Sequence, residues 1–100
     1  MLVRFYTVDQ QAIGLYTWEN QLAHRFGGFT RFTGSGAWNN GSVLGEEPAA
    51  VYEVEVTDSP NVRASVSEFA ESLRIILNQE AVLVVTIPSF SFVAFDEKKV

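Results

Sequence analysis

The chain has 100 residues, 47% of them hydrophobic and 13% aromatic, with seven Lys and Arg against twelve Asp and Glu for a net charge of -5. That is enough for one domain with its own core, and the acidity argues against nucleic acid or an anionic lipid surface as partner, because like charge opposes approach to phosphates. Without cysteine there is no disulfide frame, thiolate nucleophile or cysteine zinc site, and no apolar run approaches the roughly 18 residues a membrane span needs.

The first residues hold one Arg and then alternate, unlike the basic segment and long apolar run of a signal peptide, so a cytoplasmic setting is expected. Residues 2–7 have the period of a half-buried strand, with Val3 and Phe5 on one side and Arg4 and Tyr6 on the other. Trp18, Leu22 and Phe26 recur every fourth residue between Thr17, a candidate N-cap, and Gly27, a C-terminal stop, which predicts a helix over 17–26. Residues 29–33 are aromatic and β-branched and read as a strand that can run through Gly34, Ser35 and Gly36 to Trp38. The Gly and Ser residues of 34–45 read as a hairpin or long loop, with Asn39, Asn40 and Gly41 as its turn.

Residues 51–57 alternate strictly, placing Tyr52, Val54 and Val56 on one face and Val51, Glu53, Glu55 and Thr57 on the other. Asp58, Ser59 and Pro60 form a cap followed by a first-turn proline, so a second helix begins there. Its stripe of Val62, Val66, Phe69, Leu73 and Ile76 has the spacing of a face packed on a sheet. Residues 81–87 are apolar on both faces, as in a strand covered on each side or meeting another subunit. Pro88 and Ser89 turn the chain into 90–95, with three phenylalanines, read as an extra C-terminal strand that covers a sheet edge or pairs with a neighbour. One α+β domain over 1–95 and a charged, frayed tail over 96–100 follow.

This order matches a ferredoxin-like split βαβ arrangement: one mostly antiparallel sheet with two helices on one face. Strand one then lies beside the 51–57 strand, and Arg4 and Tyr6 share the helix-free face with Glu53 and Glu55. Arg4 across from Glu53 sets register more than stability. Aromatics on such a face would imitate an RNA-recognition module, but two glutamates stand where bases would stack. A face of this kind also serves dimerisation, with two sheets enclosing a cavity.

RFGGFT at 25–30, Gly36-Ala37-Trp38, Glu46-Glu47 and NQEAVLVV at 78–85 together resemble a family of small bacterial proteins of unknown function. That family's pattern is a Trp-bearing helix, an RF-x-G-[FY]-T junction, a G-x-W, an acidic residue before a strand, and a Q-E-[SA]-V-L strand. The resemblance spans residues 15–95 and implies a ferredoxin-like α+β fold but no activity. Members often carry an export or lipoprotein leader, which is not seen at the start of this sequence.

The chemistry is sparse. His24 is the sole histidine, which excludes a two-histidine metal site or acid-base pair within one chain. Beside Arg25 near a helix C-terminus, it also suits the helix dipole. No serine sits in a G-x-S-x-G context, and Gly34-Ser35-Gly36 lacks both the dinucleotide fingerprint and the Walker lysine. We therefore assign no catalytic residue, cofactor or metal. Glu46 and Glu47, before Pro48 in an expected loop, could form a site for a small polar ligand with Tyr6, Trp38, His24, Arg25 and Arg31 if the hairpin folds back; Trp would supply a stacking face and Arg a fork. Adjacent carboxylates, however, generally point apart, and a solvated loop with a buried Trp is the simpler reading.

Two functional readings follow. The first is a non-enzymatic, homodimeric interaction or ligand-binding module, with Arg4, Glu53 and Glu55 on its interaction face. It includes a phage or bacterial accessory protein whose acidic surface occupies a protein partner's basic one. The second is a small dimeric α+β-barrel enzyme with a pocket around His24 and Trp38.

Overall fold

A computed structural model describes residues 1–40 and 43–88. The elements run β1 (Leu2–Val8), α1 (Leu15–Phe26), β2 (Thr30–Asn40), β3 (Val43–Glu55), α2 (Pro60–Ile76) and β4 (Leu83–Ile87). All strand pairs are antiparallel, and the sheet order is β2-β3-β1-β4. This is the α+β class expected, with each helix linking strands that are not sheet neighbours. The expected C-terminal strand over 90–95 and the tail over 96–100 lie outside the described residues, as does Gly41 of the turn.

Local chemistry fixes the helix ends. Ser59, with extended backbone, accepts a hydrogen bond from the Val62 amide at 3.1 Å, and Pro60 opens α2 without an orphaned donor. Asp58 then pairs with Arg63 at 2.7 Å, which holds the Asp58 carboxyl below its ordinary range. α1 starts earlier than the expected Thr17: Gly14 is its N-cap with φ 93°, and its carbonyl accepts from the Trp18 amide at 2.9 Å. No side chain caps that end. Glycine's access to the left-handed region sets the start instead.

Both helices cover one face. Val3, Phe5, Ala50, Tyr52 and Val54 are buried there with Trp18 and Leu22 of α1 and Val66 and Leu73 of α2. Trp18 is the hub. Its ring meets Tyr52, Phe5 and Phe69 edge-on at 4.9, 5.9 and 6.0 Å, and its Nε1 donates to the Phe69 carbonyl at 3.0 Å. One side chain thus joins α1, two central strands and α2.

The two strands of the expected hairpin pair directly, and the departure from the sequence reading lies in the second of them. Residues 34–40 and 43–48 continue β2 and β3 as paired strand, so Glu46 and Glu47 belong to β3 and not to a loop. The glycines lower strand propensity, but Gly34 opposite Ala49 and Gly36 opposite Glu47 leave the cross-strand ladder intact. Pro48 sits where β1 ends, and its carbonyl accepts the Asp9 amide at 2.9 Å. Beyond it, five rungs from Gly36–Glu47 to Asn40–Val43 form an arm with no third strand among the described residues.

Candidate functional site: the helix-free face of the sheet

Alternate residues of the same strands make the opposite face. Phe32, Val51, Tyr6 and Leu83 stand in register across all four strands. Phe32 is 49%, Tyr6 36% and Leu83 61% exposed, so this apolar row crosses the face without cover from either helix. Large apolar side chains set side by side on a surface mark a contact region more than scattered ones do.

The next row is Thr30, Glu53, Arg4 and Val85. Arg4 Nε donates to Glu53 Oε2 at 2.6 Å, the cross-strand pair expected from the alternation, and this bond raises the Arg4 pKa above its ordinary value. Glu55 lies one pair further along, opposite Leu2. Among the described residues Glu55 and Glu47 make no ion pair.

On the other side of the apolar row is a hollow of about 370 Å³ at the root of the hairpin arm, lined by Tyr6, Val8, Gly36, Ala49, Leu83 and Glu47 among others. Small residues open it; a Cβ on Gly36 would already touch that of Ala49 at 3.7 Å. Of the seven ligand candidates, Tyr6 and Glu47 share this hollow. Glu46, its neighbour on β3, is exposed and by strand alternation lies on the other side of the ribbon.

The remaining candidates lie elsewhere. His24 is exposed in the last turn of α1 and lines no part of the hollow. Arg25 bonds Ser65 of α2 at 3.2 Å and stacks 5.1 Å over Phe26. Trp38 occupies the β2 position opposite Gly45. Arg31 is also engaged away from the glutamate pair, on the helix-covered side.

Arg31 anchors a polar cluster that no local motif announces. Its guanidinium lies 5.7 Å over the Tyr52 ring, and its Nε donates to the Tyr52 hydroxyl at 3.3 Å. It also donates to the Asp9 carboxylate and sits 3.9 Å from Glu19. The Tyr52 hydroxyl donates to Glu19 at 2.6 Å. Burial, followed by that bond to Glu19, pushes the Tyr52 pKa up to about 12, with Arg31 opposing. A cleft of about 290 Å³ lies beside it, lined by Gln10, Gln11, Ala12, Leu15, Tyr16, Glu19 and Arg31. Each of the four side chains bonds to at least one other, which is the arrangement of a structural clamp tying the β1–α1 connection to β2.

Among the described residues, no helix is long and apolar enough to cross a membrane, and no group of three or more His, Asp or Glu is placed to hold a metal ion. No protein-family model matches the chain, and no curated protein is similar to it.

Proposed function

We propose that this protein is a non-enzymatic, homodimeric interaction module whose contact surface is the helix-free face of its sheet. The observation that carries the reading is the row Phe32, Val51, Tyr6, Leu83, with its aromatic and aliphatic ends half-exposed or more. Covering such a row removes apolar area from water at about 25 cal/mol per Å². The Arg4–Glu53 pair beside it leaves the middle of the face close to neutral, which suits a second copy better than a basic partner. A two-fold contact is self-complementary and needs no other molecule. With no cysteine to oxidise, the reducing cytoplasm is the setting we assign.

Sedimentation equilibrium at micromolar concentration tests this. The expected mass is twice the 11.1 kDa of one chain. Tyr6→Lys combined with Phe32→Lys should return the mass to that of a single chain while leaving the far-ultraviolet circular dichroism unchanged. A wild-type protein that stays at the single-chain mass would sink the reading.

A further inference from the structure

The clamp around Arg31 leaves part of its hydrogen-bonding capacity unspent, beside the cleft that Arg31 and Glu19 line. A guanidinium donates from all three nitrogens, and a carboxylate accepts at both oxygens. Arg31 Nε is taken by the Tyr52 hydroxyl and Nη2 by Asp9, while Nη1 makes no bond among the described residues. Glu19 Oε2 takes the Tyr52 hydroxyl, and Oε1 makes no bond among the described residues. Both groups are held in place. Tyr52 is 1% exposed and engages Arg31 and Glu19 through one hydroxyl, and their side chains are only 32% and 24% exposed. A donor and an acceptor fixed in advance lose little freedom when a ligand arrives. The cleft's third element is Tyr16, in the first turn of α1, which is 77% exposed, with Ala12 and Leu15 beside it.

Charge then selects the ligand. An anion bound to Arg31 meets the carboxylates of Asp9 and Glu19, and a cation bound to Glu19 meets the guanidinium 3.9 Å away. A neutral group that accepts and donates along one edge meets neither penalty, and a flat apolar body suits the face of Tyr16. We infer that this cleft binds a small aromatic carboxamide, whose carbonyl accepts from Arg31 Nη1, whose N–H donates to Glu19 Oε1 and whose ring lies against Tyr16. The volume of about 290 Å³ is at the lower bound for small-molecule sites, about 300 Å³, which limits the ligand to roughly the size of benzamide. The site lies on the helix-covered side, away from the row of Phe32, Tyr6 and Leu83, and does not rest on the dimer reading.

Titration of isotopically labelled protein with benzamide, followed by NMR, tests this. Saturable shifts are expected at the amides of Gln11, Ala12, Tyr16, Glu19 and Arg31 and not at Val51 or Leu83, with a dissociation constant of about 1 mM, the scale open to a ligand of this size. N,N-dimethylbenzamide, which has no N–H to offer Glu19, and benzoate, which carries a charge, should each bind at least about tenfold more weakly. Glu19→Gln can still accept from the Tyr52 hydroxyl but exchanges its other acceptor for a donor, so it should weaken benzamide binding about tenfold. Tyr16→Ala, at an exposed position, should weaken it at least about threefold with the urea midpoint unchanged. No saturable shift up to about 10 mM benzamide, equal binding of the dimethyl amide or of benzoate, or unchanged affinity in both variants overturns the site. None of these outcomes bears on the mass of the protein in solution, which decides the dimer reading separately.

Discussion

The two faces of the sheet are made from the same strands and differ in what finishes them. On the covered face Val3 and Phe5 are fully buried, and Trp18 closes the layer with three edge-on aromatic contacts. On the open face the neighbouring residues Arg4 and Tyr6 meet Glu53, Val51, Val85 and Leu83, with no helix above them. A face meant only for water would not need Phe32, Tyr6 and Leu83 in one row, since polar residues serve there at no cost in folding. On the reading proposed above, the contrast separates what holds the chain folded from what it offers to another molecule. Substitutions on the first face should unfold the protein, and those on the second should change its assembly.

The sharpest way to break this separation is at Trp18. Trp18→Ala removes the ring packed against Phe5, Tyr52 and Phe69 and the bond to the Phe69 carbonyl. The expected loss is about 3–5 kcal/mol, as for other large core truncations, against a total of about 5–15 kcal/mol for a domain. Urea unfolding should show this as a large fall in midpoint with little change in slope. A loss under about 1 kcal/mol would mean that Trp18 is not the keystone of the covered face.

A smaller effect belongs to Tyr52, a buried residue of the covered face that ends in a polar cluster. Tyr52→Phe keeps the ring but deletes the bond to Glu19 and the acceptor for Arg31, which should cost about 1.5 kcal/mol, the lower end for a bond to a charged group. Alkali gives a sharper test. With the folded pKa raised from 10.0 to about 12, the folded state keeps its proton after the unfolded state has released it. The stabilisation is therefore fully present below pH 10 and is lost as the pH rises through about 12. Stability measured across that window should fall in the wild type and stay flatter in Tyr52→Phe, whose ultraviolet titration should also lack the late tyrosinate step.

Most of the covered face was legible in the sequence because its signals are local. Alternation marked β1 and the second half of β3, the Asp58-Ser59-Pro60 cap marked the start of α2, and the four-residue spacing of Trp18, Leu22 and Phe26 marked α1. What escaped depends on pairing over distance. A strand through Gly34, Ser35 and Gly36 was readable, but the segment from Gly45 to Pro48 reads as loop, and only the ladder between β2 and β3 makes it strand. That ladder moved Glu46 and Glu47 out of a loop and left just Tyr6 and Glu47 of the ligand candidates in one hollow. The Arg31 cluster draws on Asp9, Glu19 and Tyr52 from three other segments, so no motif could have gathered it. The cross-strand Arg4–Glu53 pair is the counter-example, a long-range contact read correctly because fold class and alternation together fixed its register.

That pair also gives the smallest and most selective test of the comparison. Arg4→Glu places a third carboxylate beside Glu53 and Glu55, on a face that Trp18 and the core do not touch. It should lower the urea midpoint by less than Tyr52→Phe does, because partly exposed ion pairs are screened by water. Adding Glu53→Arg restores an opposite pair in the same register and should recover more than half of the loss. The recovery should shrink in about 1 M salt, where the screening length falls to about 3 Å. If the double variant is no better than the single one, Arg4 supports the face through its aliphatic stem and not its charge. Row against row, the open face would then be held by apolar contact throughout, and Glu53 would be free to face a partner.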